Sequence, residues 1–355
     1  MRILVVGKRH YTNKDALRER FGRIYRLPLK WSQAGVDVHL ALLDYRFGKR
    51  ESVSTDGFPA WSASPIRAVG LISQARALRP DIILASGDCF IGLAGYRLAR
   101  AVGAKFVFDV YDDYRAFGAY RMFAGFRAVE FLCRRAALVL FASRALGERI
   151  ATDAHWALVP NGVDPAAFRP MDMDSARATV NLARDGTRWI GYFGSMEAER
   201  GPQDLVAAAG MLHARDPSIR LVLCGRPGAE AVLDAPWVEF RGEVPHAEIP
   251  AYINACDVVV LPYRNGPIID MASSIKIAEY LFCERPIVAT RTPNLVDNFG
   301  VQASELGDAV CNPGDATDLA RAIDAQLRRP VVASRPLGHT WEGIAMRTLD
   351  ALRAL

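Results

Sequence analysis

Short, almost wholly apolar runs recur along this chain at intervals long enough for a helix, and that alternation limits the fold more than any other feature. In the first half the runs are Ile3–Val6, Val36–Leu42, Ile82–Ala85, Lys105–Val110 and Leu138–Ala142. In the second they are Trp189–Phe193, Arg220–Cys224, Val238–Arg241, Val258–Leu261, Pro286–Ala289 and Ala309–Cys311. Strands without a polar face must be covered on both sides, as parallel sheets flanked by helices are. At 355 residues the chain is too long for one ordinary core and suits two. The expected fold class is α/β, with two doubly wound, Rossmann-like domains facing a cleft, and chemistry belongs in loops at the carboxyl ends of the strands.

The turn-rich stretch "VPNGVDPAAFRP", Val159 to Pro170, marks the boundary. The expected division is a first domain over 1–160, a connector over 161–170, a second domain over 171–335 and a closing segment over 336–355. In the closing segment Trp341, Ile344, Ala345, Leu349 and Leu352 stand at helical spacing, which predicts an amphipathic helix packing back on a domain, the first domain being the candidate.

Half the residues are apolar, 23% are charged, and no low-complexity tract appears, so a folded globular chain is expected. "MRILVVGKRH" reads as a first strand and its loop, and no apolar stretch reaches the roughly 18 residues of a membrane span. A cytoplasmic location is the expectation. Cys89, Cys133, Cys224, Cys256, Cys283 and Cys311 form no C-x-x-C pair, which argues against a zinc site or a disulfide framework.

The formal charge of +5 is unevenly spread. Residues 1–165 carry 25 Lys and Arg against 15 Asp and Glu, whereas residues 166–355 carry 19 against 24. A basic first half suits an anionic partner such as a phosphate, an acidic sugar or a membrane surface. An Arg-rich surface with no partner accounts for the same imbalance.

Two loop heads stand out. In "GYFGSMEAERGPQDLVAAA" a strand gives way to Gly194 and Ser195, then Arg200-Gly201, then a helix with Pro202 in its first turn. Glycines let backbone approach a phosphate, a helix start offers free N–H groups, and Arg200 adds a charge-assisted contact. A strand–turn–helix without a ligand has the same appearance. In "MASSIKIAEYLFCERPIVAT", Asp270, Ser273 or Ser274 is expected to cap a helix on which Lys276 shares a face with Glu279 and Tyr280. Lys276 there suits a phosphate, and the Glu279 carboxylate suits paired ribose hydroxyls. A surface Lys–Glu pair is the plain competitor, and the position of the segment between two buried strands favours the functional role.

With these pieces in order, the second half resembles the nucleotide-sugar-binding domain of GT-B glycosyltransferases, especially family 4. The matching pieces are "VPNGVD", "GYFGS…ERG", "LVLCGRPG", "VEFRGEV…EIPAYINACDVVVLPY" and "SSIKIAEYLFCERPIVAT", together covering most of residues 155–292. The first half is similar in layout alone. The resemblance implies a nucleoside-diphosphate sugar donor, no further cofactor or metal, and retention at the anomeric carbon. It places the family's phosphate motif on Gly194 to Gly201, with Ser195 where Arg is usual and Arg200 where Lys is usual. It places the ribose carboxylate on Glu279 and the first glutamate of the pair on Met271, so Met271 or neighbouring Asp270 leaves the sugar open. Arg226 and the Val244–Pro245 turn fall in loops that contact the nucleotide in relatives.

In the first domain "KFVFDVYDDYRAFGAY" sets Asp109, Asp112 and Asp113 at a strand end. Asp112 is the candidate catalytic base or positioning group for an acceptor hydroxyl, with a turn-capping role as its competitor. Lys8, Arg9 and His10 follow the first strand, where the family's loop reaches the donor phosphates. Aromatics Phe117, Tyr120, Phe123, Phe126 and Phe131 interleave with Arg115, Arg121, Arg127, Arg134 and Arg135. That pattern suits an anionic membrane and a peripheral enzyme; packing under the sheet is the favoured account of the aromatics, since a helix is due there in the fold, and no nucleic-acid motif accompanies them. The resemblance, with the basic first half, implies a saccharide or lipid-linked saccharide acceptor at the inner face of a bacterial membrane. The expected activity is glycosyl transfer in bacterial cell-surface polysaccharide synthesis. The alternatives are a non-catalytic sugar-nucleotide sensor or scaffold of the same fold, and a dinucleotide-dependent oxidoreductase, for which "VVGKRHYTN" lacks G-x-G-x-x-G. A metal-dependent transferase has only Asp172-x-Asp174, just past the connector and away from any strand end, in its favour.

Overall fold

A computed structural model describes residues 1–11, 14–20, 22–46, 51–54, 57–64, 68–114, 127–150, 153–229 and 233–355. The chain divides into two compact units. The first comprises Met1–Gly162, Met271–Ser273 and Trp341–Leu355, and the second Val163–Asp270 and Ser274–Thr340. The division thus falls after Gly162, early in the connector expected over 161–170, because Val163 is already held by its N–H to the His339 carbonyl at 2.8 Å and buried in the second core.

In the first unit eight strands lie in the order Trp156–Leu158, Leu138–Phe141, Lys105–Val110, Ile82–Ser86, Arg2–Lys8, Asp37–Leu43, Pro59–Ala63 and Glu51–Ser54. All neighbours are parallel except the last pair, an antiparallel edge. The central strand explains why apolar runs were needed: Ile3, Leu4, Val5 and Val6 are all buried, so both faces are covered. The chain winds outward from Arg2–Lys8 through Asp37–Leu43, then returns to its other side with Ile82–Ser86. The carboxyl ends of Arg2–Lys8 and Ile82–Ser86 therefore flank a topological switch point.

The closing helix, Trp341–Arg353, belongs to this unit. Its buried stripe of Trp341, Ile344, Ala345, Leu349 and Leu352 matches the spacing in the sequence, and the indole N–H of fully buried Trp31 donates to the Ala345 carbonyl at 2.9 Å. Residues 336–340 stay with the second unit.

The second sheet has six strands, all parallel, in the order Val238–Phe240, Ile219–Cys224, Arg188–Phe193, Val258–Leu261, Ile287–Thr290 and Val310–Cys311. Its switch point lies beyond Phe193 and Leu261, because the first crossovers go to one side of Arg188–Phe193 and the later ones to the other. Asp172 accepts from the Ser175 backbone N–H at 2.9 Å and caps the helix Met173–Thr179, which explains the Asp172-x-Asp174 pair as a helix start.

Candidate functional site

The loop leaving Phe193 is built by close approach. A methyl group on Gly194 would lie 2.3 Å from Cε of Lys276, so glycine leaves the space in which that side chain crosses the loop. Gly201, at φ 67°, would direct a methyl group to 1.9 Å from the Pro262 carbonyl oxygen. From that residue the helix Pro202–His213 starts, with proline in its first turn. Tyr192, buried under the loop, donates its hydroxyl to the Ser195 carbonyl at 2.8 Å.

Arg200 closes the loop. Its guanidinium lies 5.2 Å from the ring centre of Tyr263, the residue that follows the strand Val258–Leu261 and its proline. Burial works against the Arg200 charge, but Tyr263, Tyr192 and Glu197 outweigh it and raise the pKa further. The reciprocal effect lowers the Tyr263 phenol: burial pushes it up, and the fields of Arg200 and Lys276 more than reverse that. The Tyr263 hydroxyl and the Ser274 hydroxyl share a hydrogen bond at 3.2 Å, and Thr290 donates to the Tyr263 carbonyl at 2.6 Å. A small cavity lined by Tyr263, Ser274, Ile277, Thr290, Thr292 and Asn294 adjoins this group.

The helix carrying Lys276 and Glu279 runs from Lys276 to Phe282, so it begins later than the sequence reading placed it. None of Asp270, Ser273 and Ser274 caps it; Ile275 precedes the first turn without a side-chain bond. The serine oxygens are engaged elsewhere. Ser273 Oγ accepts from the Asn161 N–H at 3.2 Å within the first unit, and Ser274 meets Tyr263 in the second. Glu279 is buried, with one carboxylate oxygen 3.5 Å from Nε2 of half-exposed His246. Tyr280 accepts the Phe193 N–H at 3.2 Å and so ties the helix to the strand end. Among the described residues no carboxylate forms an ion pair with Lys276. Gly194, Ser195, Arg200 and Lys276 therefore surround one switch point, with Glu279 one helical turn beyond Lys276.

Arg226 reaches the same loop from the end of the neighbouring strand Ile219–Cys224, where its Nη2 lies 2.5 Å from Glu197 Oε1. Val244 packs half-buried against the second core, two residues before His246. Met271 belongs to the first unit and packs on its core, while one Asp270 carboxylate oxygen is buried in the second without a hydrogen-bond partner.

In the first unit the cations expected to meet phosphate are turned inward. Arg9 is buried, bonded to Asp15 at 2.9 Å, Glu51 at 2.6 Å and Ser62 at 3.0 Å, and Lys8 pairs with the buried Asp88. His10 lies 3.6 Å from Asp44 and 3.7 Å from Asp15. Asp109 is also consumed: Arg23 grips both its oxygens at 2.7 and 3.0 Å, and Ser86 donates at 2.6 Å. Asp112, half-buried, accepts the Asp113 N–H at 2.9 Å. Residues 115–126 of the aromatic–arginine stretch lie outside the described residues. Within them, Arg127, Arg134 and Arg135 are exposed around the helix Ala128–Arg135, and Arg135 lies over Phe131 at 5.4 Å.

Sequence reasoning missed Tyr263, His246, Glu197 and the Arg23–Asp109 clasp. Tyr263 had a signal, since it follows a buried strand at the switch point. Arg23 and Asp109 are 86 residues apart and had none.

Two family models match. Residues 23–167 match the Glycosyltransferase Family 4 model, and residues 187–329 match Glycosyl transferases group 1. The chain belongs to the family 4-like glycosyltransferases of group 1. This family 4-like chain is 26% identical over 222 residues to the 2-deoxystreptamine glucosyltransferase of Streptomyces kanamyceticus, covering 59% of this chain and 54% of that one. It is 28% identical over 219 residues to a D-inositol 3-phosphate glycosyltransferase of Stackebrandtia nassauensis, covering 55% and 47%. The matches span about half the length of these curated relatives. Among solved structures, a sucrose-phosphate synthase from Thermosynechococcus elongatus superposes with a TM-score of 0.75 at 18% identity, over 100% of this chain and 99% of that one. Anabaena HepE in complex with UDP and glucose gives 0.70 at 15% identity, over the whole of both chains. The fold is GT-B.

Proposed function

We propose that this chain is a glycosyltransferase that moves a sugar from a nucleoside-diphosphate donor, held by the second unit, to a hydroxyl of an acceptor received by the first. The observation that carries this is the grouping of Arg200 and Lys276 at one switch point with the buried Glu279 carboxylate. Arg200 and Lys276 stabilise the charge that grows on the departing diphosphate, electrostatic work that requires no metal in this scheme. Glu279 accepts the ribose hydroxyls, and Asp112 orients the acceptor hydroxyl or takes its proton. Family kinship supports retention at the anomeric carbon, and HepE, crystallised with UDP-glucose, supports UDP sugars as the first donors to try.

The acceptor class favoured is a saccharide or lipid-linked saccharide of bacterial cell-surface polysaccharide synthesis, met at the inner face of the cytoplasmic membrane. Supporting it are the exposed Arg127, Arg134 and Arg135, which suit anionic head groups. Among the described residues no helix is long and apolar enough to cross a membrane, so the proposed association is peripheral. The test is release of nucleoside diphosphate from a panel of sugar nucleotides in the presence of candidate acceptors. Turnover of at least one donor is expected; folded protein that neither binds nor consumes any of them refutes the proposal.

A further inference from the structure

The phosphate loop carries its own anion. Glu197 opens the short turn Ala198–Arg200, and its carboxylate sits 2.5 Å from Arg226 Nη2 and 3.9 Å from Arg200 Nε, with the Ser195 side chain bonded to it. Three of the groups chosen from sequence as anion contacts, Ser195, Arg200 and Arg226, thus surround one carboxylate of the same loop.

The two loops that present these groups are locked together. Met196 N–H donates to the Arg226 carbonyl at 2.9 Å, and a methyl group on Gly225 would lie 1.9 Å from the Gly194 carbonyl oxygen. The backbone is fixed while the charged ends are not: the Glu197 side chain is 39% exposed and that of Arg226 60%. An ion pair so open to water contributes little to stability. A ligand can therefore take Arg226 from Glu197 at little cost to the fold.

We propose that Glu197 is an internal counter-anion that an incoming diphosphate displaces, and that Arg226, once released, joins Arg200 and Lys276 as a further phosphate cation, in place of the one that Ser195 does not supply. The inference rests on the donor-site reading above and deepens it. Glu197 sets affinity for phosphate charge and leaves affinity for the nucleoside alone. Its pKa supports this role: burial raises it, but Ser195 and Arg226 prevail and lower it, so the carboxylate is charged at neutral pH.

The test is calorimetric titration of the full chain with UDP, ADP and GDP, and with the matching nucleosides, for the wild type, Glu197→Gln, Glu197→Ala and Arg226→Ala. Both Glu197 variants should bind the preferred diphosphate about 3- to 10-fold more tightly, the size of one unit charge removed several ångströms away near a surface. Nucleoside affinity should not change, and the unfolding temperature should stay near that of the wild type. Arg226→Ala should bind the diphosphate more weakly. If both Glu197 variants bind the diphosphate no better than wild type, or worse, Glu197 only braces Arg226 and the proposal is overturned. Wild-type protein that binds no diphosphate overturns the donor-site reading as well.

Discussion

At the switch point of the first sheet Lys8 is spent on Asp88 and, close by, Arg23 on Asp109, whereas at the same place in the second sheet Lys276 lies against Gly194 and Arg200 over the ring of Tyr263. Both sheets wind outward from a central strand and return to its other side, and the use of charge at that point differs. There, in the first unit, Lys8 and Arg23 each meet a buried carboxylate. In the second, cations are presented across glycine backbone and an aromatic face, where an anion can reach them. Net charge therefore misleads: the more basic half of the sequence folds several of its cations inward, and the mildly acidic half holds the candidate anion site.

The largest effect expected from this contrast is on stability. Arg23→Ala leaves Asp109 buried without its partner and should cost about 3–5 kcal/mol in urea unfolding; a loss below about 1 kcal/mol would remove the structural half of the comparison. Next come Lys276→Met and Arg200→Met, each expected to weaken nucleoside-diphosphate binding about 10- to 100-fold, the size of a lost charge-assisted hydrogen bond, with little change in unfolding temperature. Glu279→Ala should weaken a ribonucleoside diphosphate by about 10-fold and leave its 2′,3′-dideoxy analogue unaffected. An equal loss for both would assign Glu279 to packing. Lys8→Met should lower stability while changing diphosphate affinity less than about 2-fold, since the pair with Asp88 holds the lysine away from ligand.

The smallest effect concerns acid. Burial raises the Asp15 carboxyl, but its bond from Arg9 outweighs this and holds it below the usual carboxylate range. Its contribution is present above the unfolded value near 3.8 and is lost as pH falls through the lower folded value. Arg9→Met should therefore flatten the acid limb of a stability–pH curve below about pH 4, while leaving diphosphate affinity at neutral pH unchanged. A matching loss of affinity would return Arg9 to the phosphate.

The eleven runs all became strands, most of them because burial on both faces leaves its mark on every residue; the edge strand Val238–Phe240 is only partly buried. The edge pair Pro59–Ala63 and Glu51–Ser54 escaped notice, since a half-covered edge tolerates Ser, Glu and Pro. Candidate site residues were legible where glycine and charge share a loop, as at Gly194 to Gly201. They were illegible where a side chain's partner is distant in sequence. Arg9 reads as an exposed loop cation, and only the arrival of Glu51 and Ser62 shows it to be internal. Ser273 and Ser274 read as helix caps for the same reason: local rules favour a cap, and Asn161 and Tyr263 claim the hydroxyls first.

The central claim is that a donor's diphosphate rests at the switch point of the second sheet, and a crystal structure of the full chain with its preferred nucleoside diphosphate tests it most directly. The account predicts phosphate oxygens within hydrogen-bonding distance of Arg200 and Lys276, and both ribose hydroxyls on the Glu279 carboxylate. A nucleotide bound elsewhere, with Lys276 and Glu279 making no contact to it, would contradict the account.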